Sequence, residues 1–221
     1  MSATQVLTEG GTLATRVPVN DSLLKRVLLL YGLYTLLNNA AFLTAYYFLP
    51  EGFLRGSAVT TSGQIVANQG SFWGQFATTL LFNIGWMVTL SVLLNFNQVR
   101  GFPMGYLLPI SIGIVTGLIL GSNSFVSSNV DQYGAREGLA LGTSIGGLET
   151  LGYILIIAAT VRLGIYQYRS WWRWSRDWAP TKLMRIRDIR LSGSEWLTIA
   201  AGLLLIILGA YRETLMAFGL L

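Results

Sequence analysis

The sequence contains no cysteine and no histidine, and it has few charged residues. Its own side chains therefore cannot form a disulfide, a Ser-His-Asp triad, a zinc finger, or a His-ligated haem or chlorophyll site. Only 11% of the residues are charged, against about 25% in ordinary globular domains. A soluble domain of this length needs a charged shell. The sequence thus predicts a protein whose surface mostly faces lipid.

Apolar runs occupy much of the chain, and 52% of its residues are hydrophobic. Five runs are long enough to cross a hydrocarbon core of about 30 Å at about 1.5 Å per residue. Ser192 and Glu195 have the spacing of a capping box before the last run. These features predict an all-α, polytopic membrane bundle forming a single domain, residues 1–221. Its predicted transmembrane helices are residues 27–49, 73–94, 104–121, 138–161 and 195–218, after a polar cytoplasmic tail at 1–24.

Basic residues are unevenly distributed between the predicted loops. Cytoplasmic loops of membrane proteins carry an excess of Lys and Arg. With the N-terminus inside, five spans place twelve of the 15 basic residues in the cytoplasm and leave Arg55, Arg136 and Arg212 outside. The sequence therefore predicts a multi-pass protein of the inner (cytoplasmic) membrane, with a cytoplasmic N-terminus and an external C-terminus.

Two series of glycines recur at four-residue spacing on the third and fourth predicted spans. Small residues at this spacing let helix backbones approach closely in lipid, where no hydrophobic force brings helices together. We expect the two series to pack these spans against each other. The residues are Gly113, Gly117 and Gly121 on the third span and Gly138, Gly142 and Gly146 on the fourth.

Glu149 lies near the middle of the fourth predicted span. An ionised carboxylate there costs on the order of 3 kcal/mol on insertion scales, so Glu149 needs a partner or a proton. One interpretation is a packing acid hydrogen-bonded to a residue such as Asn83. The other is a proton-carrying or coupling acid of a transporter. The first is favoured because no second intramembrane acid is expected in register with Glu149. Arg212 and Glu213 are the other intramembrane polar residues, and their place near the end of the last span is consistent with its outer interface.

Residues 165–191 form a basic, Trp-rich cytoplasmic loop. If its first part is helical up to Trp178, the Trp and Arg side chains fall on different faces, a pattern typical of an interfacial amphipathic helix. Pro180 would end that helix. We expect this surface to bind lipids with anionic headgroups, and we do not expect nucleic acid as a partner, because the loop lacks an independent fold. Its residues are Arg169, Trp171, Arg173, Trp174, Arg176 and Trp178.

Three segments carry a family resemblance. LLFNIGWMVTLSVLL (residues 80–94), GGLETLGYILIIAATVRLG (146–164) and LGAYRETL (208–215) resemble segments of the stage II sporulation protein M family, the domain of unknown function 95 group. On that match, Asn83, Gly146, Glu149, Gly164 and Glu213 sit at characteristic positions. The family often has a His before the Gly of the second motif. In this chain Ile145 occupies that position, so the pair of His and Glu is not present here.

The resemblance implies an integral membrane protein of about five spans, from a family with no established catalytic activity. One member of the family works in a membrane complex that supports peptidoglycan remodelling, and others are found with transport systems. We therefore expect a non-enzymatic scaffold or accessory subunit that contacts membrane lipids and other membrane protein subunits. A transporter component using Glu149 and a small subunit of a photosynthetic or respiratory assembly are the alternatives. We expect no cofactor besides bound lipid, and a pigment would need a ligand other than His.

Overall fold

The computed structural model describes residues 22–124, 134–144, 146–171 and 179–221, together with two short strands near the N-terminus. The helices are α1 Leu23–Phe48, α2 Ala58–Ala67, α3 Phe72–Leu80, α4 Thr89–Asn95, α5 Leu107–Gly121, α6 Ala135–Ser144, α7 Gly147–Thr160 and α8 Gly193–Ala217. The strands are β1 Gln5–Leu7, β2 Leu13–Thr15, β3 Asn97–Val99, β4 Phe102–Pro103, β5 Tyr166–Tyr168 and β6 Thr181–Lys182. A π-helical segment, Leu81–Val88, joins α3 to α4.

Four helices in the described part of the chain are long and apolar enough to cross a membrane. They are Leu23–Phe48, Phe72–Asn95, Met104–Gly121 and Gly193–Ala217. These correspond to the first, second, third and fifth predicted spans. The capping box predicted before the last one is confirmed, because Ser192 and Glu195 each bond the other's backbone N–H. The protein is mostly helical and has the apolar helices of a membrane-embedded protein.

The fourth predicted span is not one continuous helix. Helix α6 ends at Ser144, Gly146 has a left-handed backbone with φ of 70°, and α7 begins at Gly147. A left-handed residue cannot continue a right-handed helix, and glycine adopts this conformation without a steric penalty. The prediction of an unbroken helix over residues 138–161 was therefore wrong. Helix α7 has only 14 residues and is largely buried, so it forms the centre of the bundle.

The glycines of α5 pack against α1. A Cβ atom at Gly117 would overlap the carbonyl oxygen of Asn38 and lie 2.8 Å from the Cβ of Ala41. The amide of Asn38 donates to the hydroxyl of Thr116 at 2.7 Å. Gly113 and Gly121 make similar close approaches to α1. The expected packing of this series against the fourth span was therefore wrong, because α1 occupies that face.

A second close helix pair is formed by α7 and α8. A Cβ atom at Gly152 would lie 2.6 Å from the carbonyl oxygen of Gly202, and one at Gly202 would lie 2.7 Å from that of Gly152. Ile156 and Ile206 fill the space beside these glycines. This reciprocal contact fixes the register of α8 against α7, and it determines which side chains of the two helices meet further along.

Ionic contacts join three helix ends at one end of the bundle, which we call the arginine end. Nη1 of Arg26, near the start of α1, donates to the carbonyl oxygen of Ala158 at 2.6 Å. Glu195, near the start of α8, lies 3.8 Å from Nη2 of Arg26 and 3.3 Å from Nε of Arg162. The start of α1, the end of α7 and the start of α8 therefore lie together, so α7 runs antiparallel to both neighbours.

A four-stranded sheet follows the ends of α4 and α7. Its order is β4-β3-β5-β6, in which β3 and β5 are parallel and the outer pairs are antiparallel. Beside it, the side-chain amide of Asn95 donates to the carbonyl oxygen of Ile157 at 2.9 Å. The all-α prediction missed this sheet, because strands of two or three residues are too short to show a hydrophobic period.

The sheet also changes the predicted interfacial helix. The residues expected to form the first turn of that helix, Tyr166–Tyr168, form strand β5 instead. The backbone of β5 pairs with β3 and β6. The prediction of a helix at Tyr166–Tyr168 was therefore wrong, because these residues satisfy their backbone groups in a sheet. Residues 172–178 of the predicted helix lie outside the described residues.

Candidate functional site

Glu149 is the most deeply placed acid of the described α6–α7 region. It lies in the first turn of α7, and only 8% of it is exposed. The side-chain amide of Asn83 donates to Oε1 of Glu149 at 2.6 Å. The hydrogen bond expected between these two residues is thus confirmed.

Asn83 is presented by the π-helical segment. π-Helices are rare, and they occur frequently at functional sites. Residues 81–88 are apolar apart from Asn83, and the side chain of Asn83 points to α7 rather than to the rest of its own helix. The wider helical turn therefore coincides with the polar contact to Glu149. Sequence reasoning had no signal for this segment, because the apolar pattern is compatible with an ordinary α-helix.

Glu213 of α8 lies on the same side of the bundle as Glu149. The two side chains line the same two cavities, and their carboxyl groups interact electrostatically. A Cβ atom at Gly209 would lie 2.6 Å from Cγ of Glu149, so the glycine leaves room for Glu149 one turn from Glu213. The backbone N–H of Gly146 donates to the carboxylate of Glu213.

This arrangement corrects the sequence analysis. Glu213 and Arg212 were expected as intramembrane polar residues near the outer end of the last span, and no second acid was expected in register with Glu149. The two acids are 64 positions apart in the chain, so sequence spacing gives no indication that they meet. The break at Gly146 and the glycine contacts of α8 set the register that brings them together. Arg212 is half-buried beside them on α8.

Two cavities meet the acid pair from different sides. The first, which we call the α5-side cavity, has a volume of about 290 Å³, and the second, the α2-side cavity, about 390 Å³. Glu149 and Glu213 line both of them. The remaining residues of the α5-side cavity are Tyr34, Met87, Ile112, Thr116, Ile119, Leu120, Gly146, Thr150 and Tyr153. Those of the α2-side cavity are Ser62, Gly63, Val66, Ala67, Gln75, Thr79, Phe82, Asn83 and Ala217.

The two cavities differ in chemistry. The wall of the α2-side cavity carries amide and hydroxyl side chains from Gln75, Thr79 and Ser62, besides Asn83. The wall of the α5-side cavity is mostly aliphatic and aromatic. The acid pair thus stands between a more polar space and a largely apolar one.

The structure offers little that resembles a metal centre. Within the described ranges, no three acidic side chains are grouped so that they would hold a metal ion. Two carboxyl groups and an amide can instead accept and donate hydrogen bonds and exchange protons.

The other predicted site residues do not join this site. Gly138 is buried in α6, and the surroundings of Gly142 lie outside the described residues. Arg169 is exposed, and its carbonyl oxygen accepts from Nε of Arg100 at 2.9 Å. The ring of Trp171 lies 5.7 Å from that of Phe102. The remaining predicted lipid contacts, Arg173, Trp174, Arg176 and Trp178, fall outside the described residues.

Comparisons with protein-family models, with curated proteins and with solved structures found no match for this chain. The resemblance to the stage II sporulation protein M family therefore stays a prediction.

Proposed function

We propose that this chain is a non-enzymatic component of a membrane transport system, in which Glu149 and Glu213 carry protons between two cavities. The observation that carries the proposal is the placement of both acids between the more polar α2-side cavity and the α5-side cavity. Acids within membrane helices are rare because charge is costly there, and they typically mark proton or ion pathways.

The chemistry requires only proton exchange. A carboxylate that takes up a proton from the α2-side cavity becomes neutral, and it restores its charge when it releases that proton on the other side. Asn83 donates to Oε1 of Glu149, which fixes the orientation of the side chain. The neighbouring Glu213 provides a second acceptor, so that one proton can be shared or passed on.

The proposed topology has five crossings of the inner membrane, with a cytoplasmic N-terminus and an external C-terminus. The fourth crossing is the broken pair α6 and α7. The distribution of Lys and Arg supports this orientation, and it makes the arginine end cytoplasmic. At the opposite end of the bundle, the N–H of Gly52 donates to the carbonyl oxygen of Ser122 at 2.6 Å. A contact of this kind is expected between two external loops that lie side by side.

A scaffold or accessory-subunit role is the second candidate, and the close glycine contacts between helices favour it. In that role, membrane lipids and other membrane subunits would be the partners, as the resemblance to the stage II sporulation protein M family implies. Glu149→Gln would then leave function intact, because Gln keeps the shape and hydrogen bonding. Glu149→Leu would be worse, since Asn83 would lose a hydrogen bond of about 0.6 to 2 kcal/mol.

Proton flux into vesicles separates the two candidates. Purified protein is reconstituted into liposomes that contain a pH-sensitive dye, and a pH gradient is imposed. We expect flux above that of empty liposomes, and a loss of at least tenfold in Glu149→Gln and in Glu213→Gln. Glu137→Gln, which changes an exposed acid of α6, is the matched control and should retain full flux. Undiminished flux in both site variants, or no flux from the unmodified protein, would contradict the transport proposal.

A further inference from the structure

The α5-side cavity combines an apolar wall with a small group of convergent polar atoms. Its aliphatic residues come from α5 and the π-helical segment, including Ile112, Ile119 and Met87. Its polar side chains are Glu149, Thr150 and Tyr153 of α7, Glu213 of α8, Thr116 of α5 and Tyr34 of α1. An apolar space with a few placed polar groups is the usual composition of a small-molecule site.

Two hydroxyl groups of this cavity belong to nearly buried residues of α7. Thr150 is 5% exposed and Tyr153 is 6% exposed, and both residues line the cavity. Neither hydroxyl has a hydrogen-bond partner among the residues that the structure describes. Neither oxygen is among the fully buried atoms that lack a partner, so both hydroxyls are open to the cavity, where a ligand or solvent can bond to them.

The charge of the site restricts what that ligand is. Glu149 and Glu213 face the cavity together with these hydroxyls. An anion would be repelled by the carboxyl groups, and a wholly apolar molecule would leave the hydroxyls unpaired. An ammonium group satisfies both conditions, because it carries positive charge and donates hydrogen bonds to carboxylate and hydroxyl oxygens.

We propose that the α5-side cavity binds a small organic ammonium ion, with its charged nitrogen against Glu149 and Glu213 and its alkyl part against the aliphatic wall. The volume of about 290 Å³ is roughly twice that of a cavity of about 150 Å³ that holds benzene. A chain of about six carbons therefore fits. Tyr34 and Tyr153 add aromatic surface of the kind that attracts cations.

This inference rests on the proposed function, which it extends with a substrate class. A bound ammonium ion and a bound proton both neutralise the same carboxyl groups. Occupation by one therefore displaces the other, so protons and ammonium ions would compete for the same carboxyl groups.

Calorimetric titration of the purified protein with hexylammonium tests the site. Hexanol is the neutral comparison, and sodium is the cation without an alkyl part. We expect saturable binding of hexylammonium at least tenfold tighter than that of either comparison. Binding should be lost in Glu149→Gln, and Tyr153→Phe and Thr150→Val should each weaken it several-fold. Tyr166→Phe, which changes an exposed tyrosine of β5, should bind as the unmodified protein does.

The results that would overturn the inference are specific. Equal binding of hexanol would mean that the cavity holds an apolar chain, and equal binding of sodium would mean a plain cation site. Unchanged affinity in both hydroxyl variants, each with unchanged thermal unfolding, would show that the unpaired hydroxyls do not contact the ligand. Proton flux without ammonium binding would contradict this inference alone, whereas ammonium binding without proton flux would contradict only the proposed function.

Discussion

Arg26 is a buried charge at the arginine end of the bundle, away from the acid pair. It is 4% exposed, and its guanidinium group contacts the carbonyl oxygen of Ala158 and the carboxylate of Glu195. Glu195 is 2% exposed and also pairs with the half-exposed Arg162. A buried charge is tolerated when it is paired, and loss of one partner leaves the other uncompensated. The pair therefore stabilises the junction of α1, α7 and α8.

We predict that Glu195→Gln destabilises the protein by about 3 kcal/mol or more, because it leaves Arg26 buried without a counter-charge. Arg162→Gln removes the partially exposed partner and should cost about 1 kcal/mol or less. Thermal unfolding of the two variants in the same detergent measures the difference. Equal unfolding temperatures for both variants would show that burial of the pair has no energetic consequence.

At the scale of elements, the close glycine contacts decide which helices are neighbours. Residues 113, 117 and 121 of α5 face α1, and residues 152 and 202 hold α7 against α8. In lipid, such contacts bring backbones within van der Waals distance. Among the described residues, α1 with α5 and α7 with α8 are thus tightly packed pairs, and the acid pair belongs to the second.

We predict that Gly117→Ala separates α1 from α5, since the added methyl group overlaps the backbone of Asn38 and approaches Phe42. Overpacking of this kind costs about 1 to 3 kcal/mol. Gly32→Ala is the matched control, because no atom lies within 4 Å of a Cβ at that position of α1. It should be neutral or more stable by up to about 1 kcal/mol.

Unfolding in a graded mixture of denaturing and mild detergents compares these two variants. A Gly117→Ala protein as stable as Gly32→Ala would mean that α1 and α5 move apart without cost, and the packing described above would be wrong.

At the scale of the whole molecule, the absence of cysteine gives a direct test of topology. Single cysteines at Asn68, Arg187 and Leu221, which are exposed positions, can be labelled without background. The five-crossing topology places Asn68 and Leu221 outside and Arg187 in the cytoplasm. We predict that a membrane-impermeant maleimide labels the Asn68→Cys and Leu221→Cys proteins in intact cells, and the Arg187→Cys protein only after lysis. Labelling of Leu221→Cys only after lysis would remove one crossing.

The sequence alone determined the membrane character, four of the apolar helices, the capping box at Ser192 and the hydrogen bond between Asn83 and Glu149. These features depend on local properties. Hydrophobicity and helix length decide whether a segment is stable in lipid, and a cap depends on residues three positions apart. An acid within an apolar run also needs a partner whatever the fold.

Only the tertiary structure decided which elements meet. The glycine spacing of α5 shows that some helix approaches closely, but four-residue periodicity is identical for every possible partner, and the partner is α1. The meeting of Glu149 with Glu213 depends on the left-handed Gly146, which directly precedes α7. It also depends on the contact of Gly152 with Gly202, which sets the register of α8. Such register is fixed by backbone contacts between segments far apart in the chain, and no local pattern encodes it.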